Sequence, residues 1–352
     1  MYTSGTTGHP KGVVHTHKSI FSQINSLKTA WHYNSNDQIL HVLPLHHIHG
    51  IINVLVTTLY SHGCVELVEK FDPVVVWNRL KSMDDPVNVF MAVPTIYSKL
   101  LHQLPDGDNH LRNLRLCISG SASLPISIKK EWADITGQVL LERYGMTEIG
   151  MGLSCGMDTL HRIDNSVGWP LPGVTVKLCD ETGKEVQMGE DGEIWVASDN
   201  LFKEYFENAK ATNADIVVDE NNIRWFKTGD VAYQNPNQEN AYFIKGRNSV
   251  DIIKSGGYKL SALEIERHIL TVPGIKECAV IGVPDEEWGQ RVAVIVSTYP
   301  NHAISLDDIR NGLKDELATY KLPTLIQSLA DGIPRNAMGK VNKKDLLKQF
   351  KS

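Results

Sequence analysis

A run near the start of the chain, Tyr2-Thr3-Ser4-Gly5-Thr6-Thr7-Gly8-His9-Pro10-Lys11-Gly12, has the residue types that hold an anion. Small residues let consecutive backbone N–H groups converge, the hydroxyls of Thr3, Ser4, Thr6 and Thr7 add donors, and Lys11 adds positive charge. No Gly-Lys-Ser/Thr closes the run, so it is not a Walker loop; the plain alternative is a surface turn. A second string, Tyr144-Gly145-Met146-Thr147-Glu148, follows an expected strand, where ligands of open sheets dock. It offers a ring to stack on a base, a hydroxyl for a phosphate oxygen and a carboxylate for Mg2+, or else an ordinary turn with a solvated glutamate. His41, His46, His47 and His49 lie close together. They could bind zinc, but no cysteine or carboxylate lies among them, and packed or hydrogen-bonded histidines are the simpler reading. Arg143 stands directly before Tyr144 and could clamp a carboxylate with two parallel hydrogen bonds, or pair structurally with Glu142 or another acid.

The elements that must position these residues alternate. Ile20, Ile24, Leu27 and Trp31 recur at helical spacing, and Ile39–Leu43 reads as a strand. Asp72-Pro73 opens a helix, and strands are expected at Val87–Val93, Leu114–Ser119 and Val139–Tyr144, with helices around Ile96–Leu104 and Ile126–Ile135. Short apolar strands alternating with helices predict a mostly parallel sheet covered on both faces. After residue 165, Val174–Leu178, Glu193–Ala197, Ile223–Phe226 and Ala241–Lys245 predict a small β-rich subdomain. An α+β unit follows from about Asn248. It holds a capping box at Ser261-x-x-Glu264, strands at Cys278–Val283 and Val292–Thr298, and helices around Leu306–Leu313 and Leu346–Phe350.

Composition narrows the function classes. With 352 residues, 35 Lys plus Arg, 41 Asp plus Glu and a net charge of −6, the chain lacks the basic excess of a nucleic-acid binder. Its 42% apolar and 22% charged residues fit a globular protein of two domains, and no apolar run is long enough for a membrane span. Five scattered cysteines without a CxxC pair indicate a reducing compartment. No basic or apolar leader precedes Tyr2.

Further strings complete a set: Leu43-Pro44-Leu45-His46-His47-Ile48-His49-Gly50, Trp225-Phe226-Lys227-Thr228-Gly229-Asp230, Lys245-Gly246-Arg247 and Pro334-Arg335-Asn336-Ala337-Met338-Gly339-Lys340. With the first two they span nearly the whole chain. In this order they resemble the adenylate-forming superfamily of acyl-CoA synthetases, luciferases and peptide-synthetase adenylation domains. The resemblance implies an α/β fold of the adenylate-forming kind. A large N-terminal domain (1–247) would combine parallel sheets and helices with a small β subdomain, and a small α+β lid domain (248–352) would follow. It implies ATP and coenzyme A as substrates with Mg2+. Thr3, Ser4, Gly5, Thr6, Thr7, Gly8 and Lys11 would cradle phosphate, with Gly120 and Ser121 also on the nucleotide. Tyr144 would meet adenine, Thr147 a phosphate oxygen, Glu148 Mg2+, and Asp230 and Arg247 the ribose. Lys340 would be the catalytic lysine of adenylation, assisted by Lys11, Thr147 and Glu148. Gly256, Gly257 and Tyr258 would line the path of the coenzyme A arm once the lid has swung round. The pivot falls on Ser249, where the family usually has a charged residue.

The strings Leu141–Met151, Val89–Tyr97, Ser119–Ala122 and Ser249–Lys254 are similar to the mitochondrial malonyl-CoA synthetases of animals. That likeness implies Arg143, His47, Ser119 and Ser121 as the residues that recognise malonate or methylmalonate. It also implies an ATP-dependent acid–thiol ligase, expected to be a monomer, without nucleic-acid partners or a membrane span. A mitochondrial location follows by likeness, or a cytoplasmic one if Met1 is the true start. Strands that should precede the phosphate loop are missing, so the chain reads as N-terminally truncated. The competing expectation is an inactive fragment that binds nucleotide or a partner without turnover.

Overall fold

The computed structural model describes residues 1–3, 10–300, 302–335 and 341–350. It divides into two compact units, Met1–Thr228 with Tyr233–Phe243, and Gly229–Ala232 with Ile244–Ser352.

In the first unit the alternating pattern becomes a sheet in the order Cys64–Leu67, Gln38–His41, Val89–Ala92, Leu116–Ser119, Leu141–Met146, Gly150–Ser154 and Trp169–Pro170. The first five strands are parallel and the last two antiparallel. Side chains alternate between faces along each strand. Ile39, Val89, Met91, Leu116, Ile118 and Leu141 pack with Ile24, Leu27 and Trp31 on one side. Leu40, Phe90, Ala92 and Cys117 pack with Val76, Trp77, Leu80, Tyr97 and Trp132 on the other. Both faces are therefore buried, as uninterrupted apolar strands require. Trp132 is the hinge of the second layer, with ring centroids 5.6 Å from Trp77 and 4.9 Å from Tyr97.

Local chemistry fixes the helix ends. The Thr16 and Ser19 side chains cap each other's backbone ahead of His17–Ala30. Asp72 accepts from Val74 N and Val75 N at 2.8 and 3.1 Å, and Pro73 starts the helix Pro73–Lys81. The histidine-rich turn leads into a π-helix, His49–Val56. Gly50 is required there, because a Cβ would sit 2.3 Å from the Pro44 carbonyl oxygen. The strands Cys64–Leu67 and Gly150–Ser154 escape the sequence pattern; the second contains two glycines, which carry no β signal.

The β-rich part is a sheet in the order Val174–Cys179, Gly192–Ser198, Arg224–Asn235 and Ile216–Val218, with Ala241–Arg247 also on Arg224–Asn235. A separate short sheet joins Tyr2–Thr3, Lys11–Val14 and Glu204–Tyr205.

The second unit is built on Ile275–Asp285, Gly289–Thr298 and Leu325–Ser328. Val292, Val294 and Val296 meet the helices Ala262–Ile269 and Leu306–Leu313 on one face, while Ala293 and Ile295 meet Leu346 on the other. The capping box expected at Ser261 is half made. Ser261 Oγ accepts from Glu264 N at 3.0 Å, but the Glu264 carboxylate turns to Lys321 Nζ, 2.7 Å away.

Trp132→Ala should cost about 3–5 kcal/mol of unfolding free energy, read from urea denaturation followed by circular dichroism. A loss below about 1 kcal/mol would show that the aromatic layer is not a keystone of the sheet.

Candidate functional site

Two clusters form in the first unit. The first is centred on Arg143, in the strand Leu141–Met146. Strand alternation sends Glu142 to the face opposite Leu141 and Arg143. Glu142 pairs there with Lys129, Nζ to Oε1 at 3.1 Å, and Lys129 also reaches Asp164 at 3.1 Å. The expected alternative of a Glu142–Arg143 pair is therefore overturned. Arg143 is 5% exposed, its Nη2 donates to Ser121 Oγ at 3.2 Å, and its Nε has no hydrogen-bond partner among the described residues. Burial alone pulls its pKa down to about 9.

The surroundings are shaped to this guanidinium. A Cβ on Gly120 would lie 2.5 Å from Arg143 Cζ, so a side chain there would displace the guanidinium from its present position. Ser121 takes the left-handed φ of 68°, which turns its hydroxyl between Arg143 and His49 Nδ1, 3.4 Å away. His49 is buried and its pKa is held well below the usual histidine value, first by desolvation and then by Arg143, His41 and His47. Buried Nε2 atoms of His41 and His49 and the Oγ of Ser119 lack hydrogen-bond partners among the described residues. His47 is half-buried with its ring 4.3 Å from that of His46. The histidine that meets Ser121 is His49, while the residue that the sequence reading names for the acid is His47. Nothing in the spacing distinguished the two.

The second cluster lies where the strand Leu141–Met146 turns back at Thr147 and Glu148. The string is a strand end with a bulge at Tyr144/Gly145 followed by a tight turn, rather than a loop after a strand. Gly145 allows the return, since a Cβ would meet Gly150 O at 2.2 Å. The Thr147 carbonyl accepts from His15 Nε2 at 2.7 Å, which places the histidine proton on Nε2, and burial lowers the pKa of His15. Glu148 is buried, and its Oε1 lies 2.9 Å from the Tyr205 hydroxyl. That hydroxyl is also 3.2 Å from Asp215 Oδ2. Lys11 Nζ lies 3.3 Å from the same Asp215 oxygen and 3.9 Å above the Tyr205 ring. Tyr205 and Asp215 were invisible in the sequence, because neither belongs to a string with a chemical pattern.

Two more groups belong to the second unit. Arg247 holds Asp230 with Nε–Oδ1 at 2.9 Å and Nη2–Oδ2 at 3.4 Å. Asp251 then accepts from Arg247 N at 2.9 Å and closes the exposed turn that contains Ser249. Gly256 and Gly257, with φ of 55° and 82°, make the two-residue turn between Ile252–Ser255 and Tyr258–Ser261. Tyr258 is exposed and stacks on Tyr320 at 4.3 Å. Thr3 lies in the strand opposite Lys11. Ser4, Gly5, Thr6, Thr7, Gly8 and Lys340 lie outside the described residues.

The chemistry available is anion binding by a buried guanidinium in the first cluster, and in the second a lysine and a carboxylate of the kind that serve phosphate and Mg2+. Magnesium commonly uses one or two carboxylates together with substrate phosphates, and Glu148 with the adjacent Thr147 hydroxyl fits that oxygen donor set. Among the described residues, no three His, Cys, Asp or Glu side chains are grouped to hold a metal by themselves. Nor is any helix among them long and apolar enough to cross a membrane.

The mitochondrial malonate–CoA ligase ACSF3 of Homo sapiens is 43% identical over 99% of this chain and 65% of its own length. The malonate–CoA ligase of Arabidopsis thaliana is 42% identical over 100% of this chain and 60% of its own length. The crystal structure of ATP-bound MatB from Rhodopseudomonas palustris superposes with a TM-score of 0.91 at 35% identity, covering 100% of this chain and 68% of that one. This chain therefore spans about two thirds of the length of the human relative. Residues 1–206 match the model of the AMP-binding enzyme family and residues 264–340 that of its C-terminal domain. The chain belongs to the AMP-binding enzymes and has the adenylate-forming fold.

Proposed function

We propose that this chain carries the activity of a malonate–CoA ligase, converting malonate or methylmalonate to an acyl adenylate and then to the acyl-CoA. The observation that carries this reading is the buried Arg143 guanidinium, which has no carboxylate counter-ion among the described residues. A buried charge is tolerated only with a counter-charge, and a second carboxylate on the substrate supplies one. A monocarboxylic fatty acid would leave the guanidinium unpaired. The names of the relatives point to the same acid.

One carboxylate of malonate sits on Arg143, with Ser121, Ser119, His49 and His47 around it. An oxygen of the other attacks the α-phosphorus of ATP, and pyrophosphate leaves. The sulfur of coenzyme A then attacks the acyl carbon and AMP departs, its oxygen taking the bonding electrons. Lys11 and the Thr3–Gly8 run serve the phosphates, Gly120 and Tyr144 the nucleotide, and Thr147 a phosphate oxygen. Glu148 would hold Mg2+, which neutralises phosphate charge when bound. Residues 1–247 are assigned to adenylation and 248–352 to the lid. Asp230 and its partner Arg247, both before that boundary, are assigned to the ribose. Lys340 is assigned to the α-phosphate, Ser249 to the pivot, and Gly256, Gly257 and Tyr258 to coenzyme A. A mitochondrial location is taken from the name of the human relative and is checked by organelle fractionation.

ATP–pyrophosphate exchange across a panel of acids tests the reading. Malonate should support exchange and octanoate should not; the reverse would sink the substrate assignment. Arg143→Ala should raise the malonate KM by about 100-fold or more, the loss expected for a charged hydrogen-bonded contact, with little change in the KM for ATP. An unchanged malonate KM would remove Arg143 from the acid site.

The depressed pKa of His49 gives a second test. The unfolded chain binds a proton at this histidine near its ordinary value, and the folded chain only well below it. Stability from keeping His49 neutral is therefore complete above pH about 6.5 and falls as the pH drops below that. The melting temperature should decline between pH 7 and 5, and His49→Gln should flatten the decline. Parallel curves for the two proteins would contradict a buried neutral His49.

A further inference from the structure

The Tyr205 hydroxyl has one proton and two carboxylates within reach, Glu148 at 2.9 Å and Asp215 at 3.2 Å. The segment around it is held from several sides. Tyr205 pairs with Val13 in the short sheet, its N–H donates to Thr212 Oγ1 at 2.9 Å, and Phe202 N donates to the Glu148 carbonyl at 2.8 Å. The ring itself is buried between Phe202 and Lys11, and at fixed ring position the hydroxyl chooses between the two acids by the direction of its hydrogen. Asp215, for its part, holds Lys11 as well as facing that hydroxyl.

We infer that Tyr205 is a positioning residue that couples the phosphate lysine to the metal carboxylate by switching its proton between Glu148 and Asp215. This rests on the reading of Lys11 and Glu148 given above. With Lys11 on Asp215, that acid is compensated and the tyrosine proton serves Glu148. When Lys11 leaves Asp215 for a polyphosphate, Asp215 needs a donor. The tyrosine O–H rotates to it, and the Glu148 oxygen is released toward Mg2+. No bond to hydrogen is broken; only the acceptor changes. Burial and the two acids hold the Tyr205 phenol well above its usual pKa, so it remains a donor throughout. Neither Tyr205 nor Asp215 needs to touch the substrate for this.

The arrangement separates two binding constants, moving one and sparing the other, which a merely structural tyrosine would not. In the full 352-residue chain, isothermal titration calorimetry measures ATP binding in EDTA and, separately, the MgCl2 concentration that half-saturates the ATP complex. Tyr205→Phe removes the donor that Asp215 needs after Lys11 leaves, so metal-free ATP should bind about fivefold more weakly. In the ATP complex the switch has already turned that proton from Glu148 to Asp215, so the half-saturating Mg2+ should stay within about twofold of the wild-type value. Asp215→Asn, at a partly exposed position, should tighten metal-free ATP, because Lys11 no longer leaves an anion. Both constants weakening together in Tyr205→Phe, or neither moving in either variant, overturns the switch while leaving the nucleotide reading in place. A wild-type chain that gives no ATP binding overturns that reading and the switch with it.

Discussion

A guanidinium buried with no carboxylate counter-ion among the described residues constrains everything near it. Moving an ion such as the Arg143 guanidinium out of water carries a penalty of several kcal/mol even after the protein relaxes. The chain spends specific residues to keep it there. Gly120 gives up its side chain, Ser121 accepts a left-handed backbone, and His49 stays neutral so that no second cation competes. None of these choices improves the core. They are intelligible together if the guanidinium is kept for an anion that arrives from outside, since a site that is costly when empty gains most when filled.

The sheet makes this possible through its period of two. Leu141 anchors the strand in one layer, Glu142 turns to the other and finds Lys129, and Arg143 returns to the first. Neighbours in sequence are thereby kept from neutralising each other. A helical segment would not separate them so cleanly, because side chains there fan around an axis rather than split between two faces. The same strand then turns at Thr147 and Glu148, so one element delivers both the cation proposed for the acid and the carboxylate proposed for magnesium.

Much of the fold was legible because burial on two faces writes a simple pattern. Val89-Phe90-Met91-Ala92 and Leu116-Cys117-Ile118 read as strands, and Asp72-Pro73 as a helix start, with no tertiary knowledge. What could not be read depends on where distant segments meet. His47 and His49 are equivalent as letters, and only the π-helical turn sends the second toward Ser121. Tyr205 and Asp215 matter because a two-residue strand pairs with Lys11–Val14 across nearly the whole first unit. Ser261-x-x-Glu264 has a capping signature, yet a lysine from another segment, Lys321, outcompetes the backbone for the glutamate. Such outcomes follow from three-dimensional competition, which local pattern does not encode.

The nature of the acid site also sets how selective it can be. In the proposed site, rejection of a monocarboxylic acid rests on charge: without a second carboxylate Arg143 keeps only its Ser121 contact, and Ser119 Oγ, His41 Nε2 and His49 Nε2 stay without hydrogen-bond partners among the described residues. Unpaired buried polar groups discriminate strongly, by factors far beyond what apolar contact achieves. A methyl group on the carbon between two carboxylates presents a different problem. It leaves both charges in place and alters only packing, a difference of about 1–3 kcal/mol in a fitted pocket and less where the wall can adjust. On the proposed reading, the features that would bar a fatty acid have no comparable hold on methylmalonate, and the proposed site takes the two diacids as one class.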